Sequence, residues 1–169
     1  MIDFTEYRRV HCLGIGGIGL SAIAEILADN GHIVSGSDMK ASDVTRHLEE
    51  VGIKVYYEHD AGNVDGVDAI VYSAAVSDEN PEVVRAKELG IPLFSRAQVL
   101  GMIMDRYDRS VAICGTHGKT TVTSMTSLIL RNEKYKPTIL VGGNLPEING
   151  NVEIGSNDYF VTEACEYMD

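Results

Sequence analysis

The sequence predicts an α/β protein, with a parallel, doubly wound sheet followed by the opening of a second α/β unit. Three observations carry this. Short apolar runs alternate with segments of helical periodicity from residue 10 to residue 104, which is how strands joined by helical crossovers read. Two glycine loops, at 14–19 and 115–118, each follow an apolar run and each open a helical pattern. A polar pentad, Asp105-Arg106-Tyr107-Asp108-Arg109, separates the two halves as a linker.

The first strand, 10–13, runs into Gly14-Ile15-Gly16-Gly17-Ile18-Gly19, a G-x-G-x-x-G pattern. Apolar positions 20, 23, 24, 27 and 28 then recur at helical spacing, and Asn30-Gly31 closes the helix. A second strand at 32–35 leads to Asp38, where a dinucleotide fold places a ribose-binding carboxylate about 20 residues past the glycines. A helix at 44–50 ends at Gly52, and strands are expected at 54–57 and 69–72. Asn80 and Pro81 open the next helix as cap and first-turn proline, and Gly90 ends it. A fifth strand at 92–94 and a helix at 97–104 complete the first unit. Five such strands make a Rossmann-like sheet, for which the order 3-2-1-4-5 is expected. Ligand belongs at the carboxyl ends, beside the first strand.

In the second unit a strand at 111–114 breaks at Gly115, and the loop Gly115-Thr116-His117-Gly118-Lys119-Thr120-Thr121 leads into a helix over about 118–132. This is a shortened phosphate loop: the general G-x-x-x-x-G-K-[ST] pattern would put glycine where Ile113 stands. Backbone N–H groups and the helix N-terminus attract phosphate oxygens. Lys119 is placed to reach the β/γ-phosphates of a nucleoside triphosphate, and the Thr120 hydroxyl to ligate Mg²⁺. Strands at 138–141 and 159–162 follow; the stretch between reads as a loop to Gly155, because Pro146, Asn149, Gly150 and Asn151 are turn formers. Glu163 ends the last strand, where phosphate-loop domains place an acidic metal partner, with Glu166 and Asp169 as further candidates. Three strands and one helix are too few to close a doubly wound core. The chain is therefore expected to be part of a longer enzyme, with domains at 1–107 and 108–169 and the second domain incomplete. Open strand edges there predict self-association.

The net charge of -11 argues against nucleic acid or an anionic membrane as partner. Cys12, Cys114 and Cys165 are far apart and lack metal-ligand spacing, as reduced structural thiols do. Cys114 reads as a small packed residue rather than a nucleophile. No apolar run approaches the roughly 18 residues of a membrane span, and a soluble, cytoplasmic protein is expected.

The two glycine loops in tandem, the second spelled Gly-Thr-His-Gly-Lys-Thr-Thr, resemble those of the Mur ligases of peptidoglycan synthesis. Ser35-Gly36-Ser37-Asp38, Val71-Tyr72-Ser73-Ala74-Ala75-Val76, Ser95-Arg96-Ala97, Gly142-Gly143 and Glu163-Ala164-Cys165-Glu166 extend the likeness along nearly the whole chain. The resemblance implies an ATP- and Mg²⁺-dependent ligase that joins L-alanine to UDP-N-acetylmuramate through an acyl phosphate. It implies that 14–19 (Gly14, Ile15, Gly16, Gly17, Ile18, Gly19) hold the UDP-sugar, that Asp38 lies near the uridine or its ribose, and that Ser73, Ala74 and Ala75 line the uridine side. It gives Lys119 and Glu163 catalytic roles, Thr120 and Glu163 the metal, and Gly142 and Gly143 a place near the muramoyl group. Cys165 stands where the resemblance leads one to expect an acidic residue, so no metal role is carried to it. His59 is a uridine contact or an ordinary loop histidine; His117 touches nucleotide or merely completes its loop; Arg96 contacts substrate or forms a helix-start ion pair. Two other functions stay open: an NAD-dependent oxidoreductase, from the first glycine pattern and Asp38, and a non-catalytic nucleotide-binding module. The oxidoreductase leaves 115–121 unexplained.

Overall fold

The computed structural model describes residues 4–164. It divides into two units, one reaching to Val99 and one starting at Leu100. The division falls inside a helix.

In the first unit β1 (Arg9–Leu13), β2 (Ile33–Ser37), β3 (Lys54–Tyr56), β4 (Ala69–Tyr72) and β5 (Leu93–Ser95) form one sheet in the order β3-β2-β1-β4-β5. Every pair is parallel. Connecting them are α1 (Ile18–Asp29), α2 (Asp43–Glu50) and α3 (Pro81–Leu89), while α4 (Arg96–Met104) follows β5 directly. The expected class and strand order are therefore observed. Residues of β1 and α1 make the centre of the core: Val10, Cys12, Leu13, Leu20, Ile23, Ile26 and Leu27 are all buried. α3 packs Val83 and Ala86 against Leu13 and Ile70. The helix ends are chemically specified. Ser42 and Thr45 form a capping box at the start of α2. Asn80 caps α3, Pro81 opens it, and Gly90 closes it in the left-handed conformation.

The register fixes where a ligand can sit. Leu13 pairs with Ser37 and with Tyr72, Ser37 with Tyr56, and Tyr72 with Ser95. The five strands thus end in one row; the residue after each of the first four, Gly14, Asp38, Tyr57 or Ser73, begins a loop on that edge, and Arg96 begins α4 there.

The second unit holds β6 (Arg109–Ile113), α5 (Lys119–Asn132), β7 (Thr138–Leu145), β8 (Gly150–Glu153) and β9 (Tyr159–Glu163), with sheet order β6-β9-β7-β8. β9 pairs in parallel with both β6 and β7. The unit has one strand more than expected. β7 continues through Gly142-Gly143-Asn144 to Leu145, a 3-10 turn spans Pro146–Ile148, and β8 returns antiparallel. Asn149, in the left-handed region at φ 54°, reverses the chain. The turn formers were real; what they flank is an outer strand with Val152 as its one large apolar residue, a pattern too weak to stand out in sequence.

Candidate functional site

In the first unit the row of strand ends opens onto a cleft of about 480 Å³. Gly14, Asp38, His59, Ser73, Ala75, and the 79–81 segment at the head of α3 are among its walls. The glycine loop is held by backbone: the N–H groups of Gly14 and Ile15 both donate to the Ser37 carbonyl, at 2.8 and 3.1 Å. Asp38 ties loop to strand through its carboxylate, which accepts from Gly16 N at 3.0 Å and from Lys40 N at 3.0 Å. The Ser73 side chain lies against Gly14. The carboxylate that the sequence offered to a ribose is thus also a clamp on the loop.

Beneath the cleft lies a polar cluster centred on Glu82, in the first turn of α3, which is fully buried. Its Oε2 accepts from Ser37 Oγ at 2.7 Å and faces His59 Nδ1 at 2.7 Å. Its Oε1 accepts from Asn63 Nδ2 at 2.8 Å and faces His11 Nε2 at 3.3 Å. His11, also fully buried, meets Ser35 Oγ with its other nitrogen at 2.9 Å. Burial pushes the Glu82 carboxyl upward, but the bonds from His11, Ser37, Asn63 and His59 outweigh it and hold the group below the usual carboxylate value. Burial alone acts on Cys12 and pushes its thiol up to about 12, which makes it inert.

In the second unit the phosphate loop connects β6 to α5. Gly115 has φ 150° and Gly118, the residue before α5, has φ 79°. A side chain at either would strain a backbone that must curl its N–H groups inward. Lys119 Nζ reaches back over the loop to the Gly115 carbonyl at 2.7 Å. Glu163, at the end of β9, accepts from Gly142 N at 2.8 Å. Thr120 lies beside Gly143, its methyl 3.7 Å from where a Cβ would stand. Lysine, hydroxyl and carboxylate are thus carried by adjacent elements of one unit. Among the described residues no three His, Cys, Asp or Glu side chains are grouped to hold a metal. The protein's offer is one carboxylate and one hydroxyl, which fits Mg²⁺, an ion that keeps waters and takes further oxygens from phosphate.

Of the residues singled out in sequence, the cleft gathers Gly14, Asp38, His59, Ser73 and Ala75. Ile15 is buried in the core, Ile18 is exposed at the start of α1, and Ala74 is exposed beside the cleft without lining it. Gly16 and Gly17 continue the loop toward α1, and the Arg96 guanidinium lies over Gly19. Thr116, His117 and Thr121 are exposed on the phosphate loop and the start of α5. Cys165, Glu166 and Asp169 lie outside the described residues. Sequence reasoning missed Glu82, whose partners His11 and His59 stand 71 and 23 residues away. The one available signal was a carboxylate directly behind the Asn80-Pro81 helix start.

The sequence model of the Mur ligase family, catalytic domain, matches residues 9–108. The UDP-N-acetylmuramate–L-alanine ligase of Acetivibrio thermocellus is 52% identical over 169 residues, covering 100% of this chain and 36% of its own length. The crystal structure of the UDP-N-acetylmuramate–alanine ligase of Thermotoga maritima superposes with a TM-score of 0.85 at 35% identity, over 92% of this chain and 36% of that one. A UDP-N-acetylmuramate:L-alanyl-γ-D-glutamyl-meso-diaminopimelate ligase from Neisseria meningitides gives 0.82 at 30% identity, over 92% and 52%. The chain spans about a third of the length of the curated relatives it matches.

Proposed function

The chain belongs to the Mur ligase family, and from that membership we propose that it is the UDP-sugar-holding and phosphate-loop portion of an ATP-dependent ligase joining L-alanine to UDP-N-acetylmuramate. The observation that carries this reading is the stretch 115–121, the loop after β6 and the first residues of α5, with Glu163 at the end of the neighbouring strand. It answers a nucleoside triphosphate and has no use in hydride transfer. The two relatives named above for different amino components share UDP-N-acetylmuramate in their names. This supports giving the part in common to the sugar nucleotide.

In this reading residues 1–107 hold the UDP-sugar and 108–169 belong to the ATP domain. Asp38, His59, Ser73 and Ala75 meet the uridine end in the cleft, and Gly142 and Gly143 pass close to the muramoyl group. Lys119 neutralises the transferring phosphoryl group; ATP rests on the loop, and Thr120 and Glu163 hold Mg²⁺, which supplies charge compensation. This reading assigns the protein to the cytoplasm; among the described residues no helix is long and apolar enough to cross a membrane. Self-association through the outer strands β6 and β8 belongs to the same proposal, and sedimentation at several concentrations reads it.

Phosphate release by the full-length enzyme tests the assignment. It is expected only with UDP-N-acetylmuramate and L-alanine together, and Lys119→Ala is expected to abolish it. Full turnover in that variant sinks the phosphate-loop role. Calorimetric titration with UDP-N-acetylmuramate and with NAD tests the cleft: NAD binding alone would return the oxidoreductase.

A further inference from the structure

We propose that Glu82 is a positioning residue for His59: it keeps the ring proton on Nδ1, so that Nε2 meets the bound nucleoside as a hydrogen-bond acceptor. The inference rests on the UDP-sugar reading of the cleft.

An ionised carboxylate only accepts hydrogen bonds, and its two oxygens have about four acceptor positions. Glu82 faces four side-chain partners: His11 and Asn63 at Oε1, Ser37 and His59 at Oε2. The histidine nitrogens that face it therefore carry protons. For His11 the remaining nitrogen meets the Ser35 hydroxyl, which serves as donor or acceptor. For His59 the remaining nitrogen, Nε2, has no protein partner among the described residues, and the residue lines the cleft. A neutral ring with its proton on Nδ1 has its lone pair on Nε2. Phosphate offers no donor to such a nitrogen. The uracil imide N–H and the ribose hydroxyls do.

The cluster is also rigid. Glu82 is anchored by Asn80 Oδ1, which accepts from Glu82 N at 2.9 Å. β1 and β2 present His11 and Ser37 from neighbouring strands of the sheet. Asn63 is fixed twice, donating to the Glu58 carbonyl at 3.1 Å as well as to Glu82.

That double fixing predicts what Glu82→Gln does. Glutamine keeps the shape but turns one oxygen into an NH₂ donor. Placing NH₂ on the Oε1 side would meet the Asn63 amide donor to donor and break its second bond. Placing it on the Oε2 side costs less, since the Ser37 hydroxyl rotates and His59 moves its proton from Nδ1 to Nε2. The ring then shows a donor to the nucleoside's donor.

Two-bond ¹H–¹⁵N spectra of the full-length protein at pH 8 read the tautomer directly. Wild type is expected to show His59 protonated on Nδ1, and Glu82→Gln to show it on Nε2; Asn63→Ala, which empties an Oε1 position only, is expected to leave it unchanged. In turnover, Glu82→Gln is expected to raise KM for UDP-N-acetylmuramate about 10- to 100-fold, the range for a lost and mismatched buried hydrogen bond, with kcat within about twofold. N3-methyl-UDP, 2′-deoxy-UDP and 3′-deoxy-UDP as competitors separate the three donors: the analogue lacking the group His59 reads binds wild type weakly and is indifferent to Glu82→Gln. A wild-type ring protonated on Nε2 overturns the proposal without any variant. So does an unchanged KM in a folded Glu82→Gln enzyme whose wild type binds the sugar nucleotide. If wild type fails to bind it, the UDP-sugar reading and the acceptor role fall together, while the spectra still report whether Glu82 sets the tautomer.

Discussion

Gly142 and Gly143 are neighbours on β7, yet alanine at the two positions should have very different consequences. A Cβ on Gly142 would stand 2.8 and 3.0 Å from the Glu163 carboxylate oxygens, while one on Gly143 would meet Thr120 at 3.7 Å. Ordinary van der Waals contact begins near 3.4 Å, so Glu163 must withdraw by about 0.6 Å in Gly142→Ala and nothing need move in Gly143→Ala. The displaced carboxylate also loses its bond from Gly142 N. In an exposed setting that bond contributes little to folding, about 1 kcal/mol or less. Positioning is another matter: misplacement of a reacting or metal-binding group by about 1 Å costs on the order of 100-fold in rate. Gly142→Ala is therefore expected to lower kcat/KM by about 10- to 100-fold and to raise the Mg²⁺ concentration for half activity, with melting within about 3 °C of wild type. Gly143→Ala is expected to stay within about threefold. The assay is UDP-N-acetylmuramate- and L-alanine-dependent phosphate release by the full-length enzyme across a Mg²⁺ titration. A Gly142→Ala enzyme with wild-type rate and Mg²⁺ dependence would refute the role of Glu163, and equal damage from both alanines would refute the steric argument.

Two further outcomes concern stability. Gly36→Ala would place a Cβ 2.5 Å from the Ile15 side chain and 2.6 Å from the Cys12 carbonyl; backbone cannot yield as a side-chain tip can, and a loss of about 2–3 kcal/mol is expected in urea unfolding. The Glu82 carboxyl is held below its ordinary value of 4.5 in the folded chain. Its contribution is thus fully present above the unfolded value and is lost as pH falls through the folded one. Urea midpoints of wild type and Glu82→Gln should differ at pH 7, with wild type the more stable, and converge as pH falls from 4.5 through the lower folded value; parallel curves would show that the cluster does not carry the difference.

What was legible in the sequence was local. A strand, a glycine turn and a helix stand within a few residues of one another, so both loops, Asp38 after β2, and Lys119 at the start of α5 could be read from spacing. The order of strands was the natural expectation for a doubly wound sheet opened by a dinucleotide-type glycine loop. β8 was not legible, because an outer strand with one large apolar side chain carries almost no periodic signal. The Glu82 cluster was not legible for a different reason. Its members come from β1, β2, the loop around His59 and Asn63, and the head of α3. Only the folded register brings them together. His11, in an apolar strand, is a core residue with a charge-bearing neighbour.

The even finish of the five strands separates two jobs within one rim. The wall residues of the cleft lie past the strand ends, Gly14, Asp38 and Ser73 one position after Leu13, Ser37 and Tyr72 and the rest further along the loops. Exchanging Ser73 or Ala75 changes what the wall offers without cutting a rung of the sheet. The wall can therefore be retailored for another ligand one side chain at a time, whereas Asp38 and Glu82, which brace the loop and the floor, cannot be altered so independently.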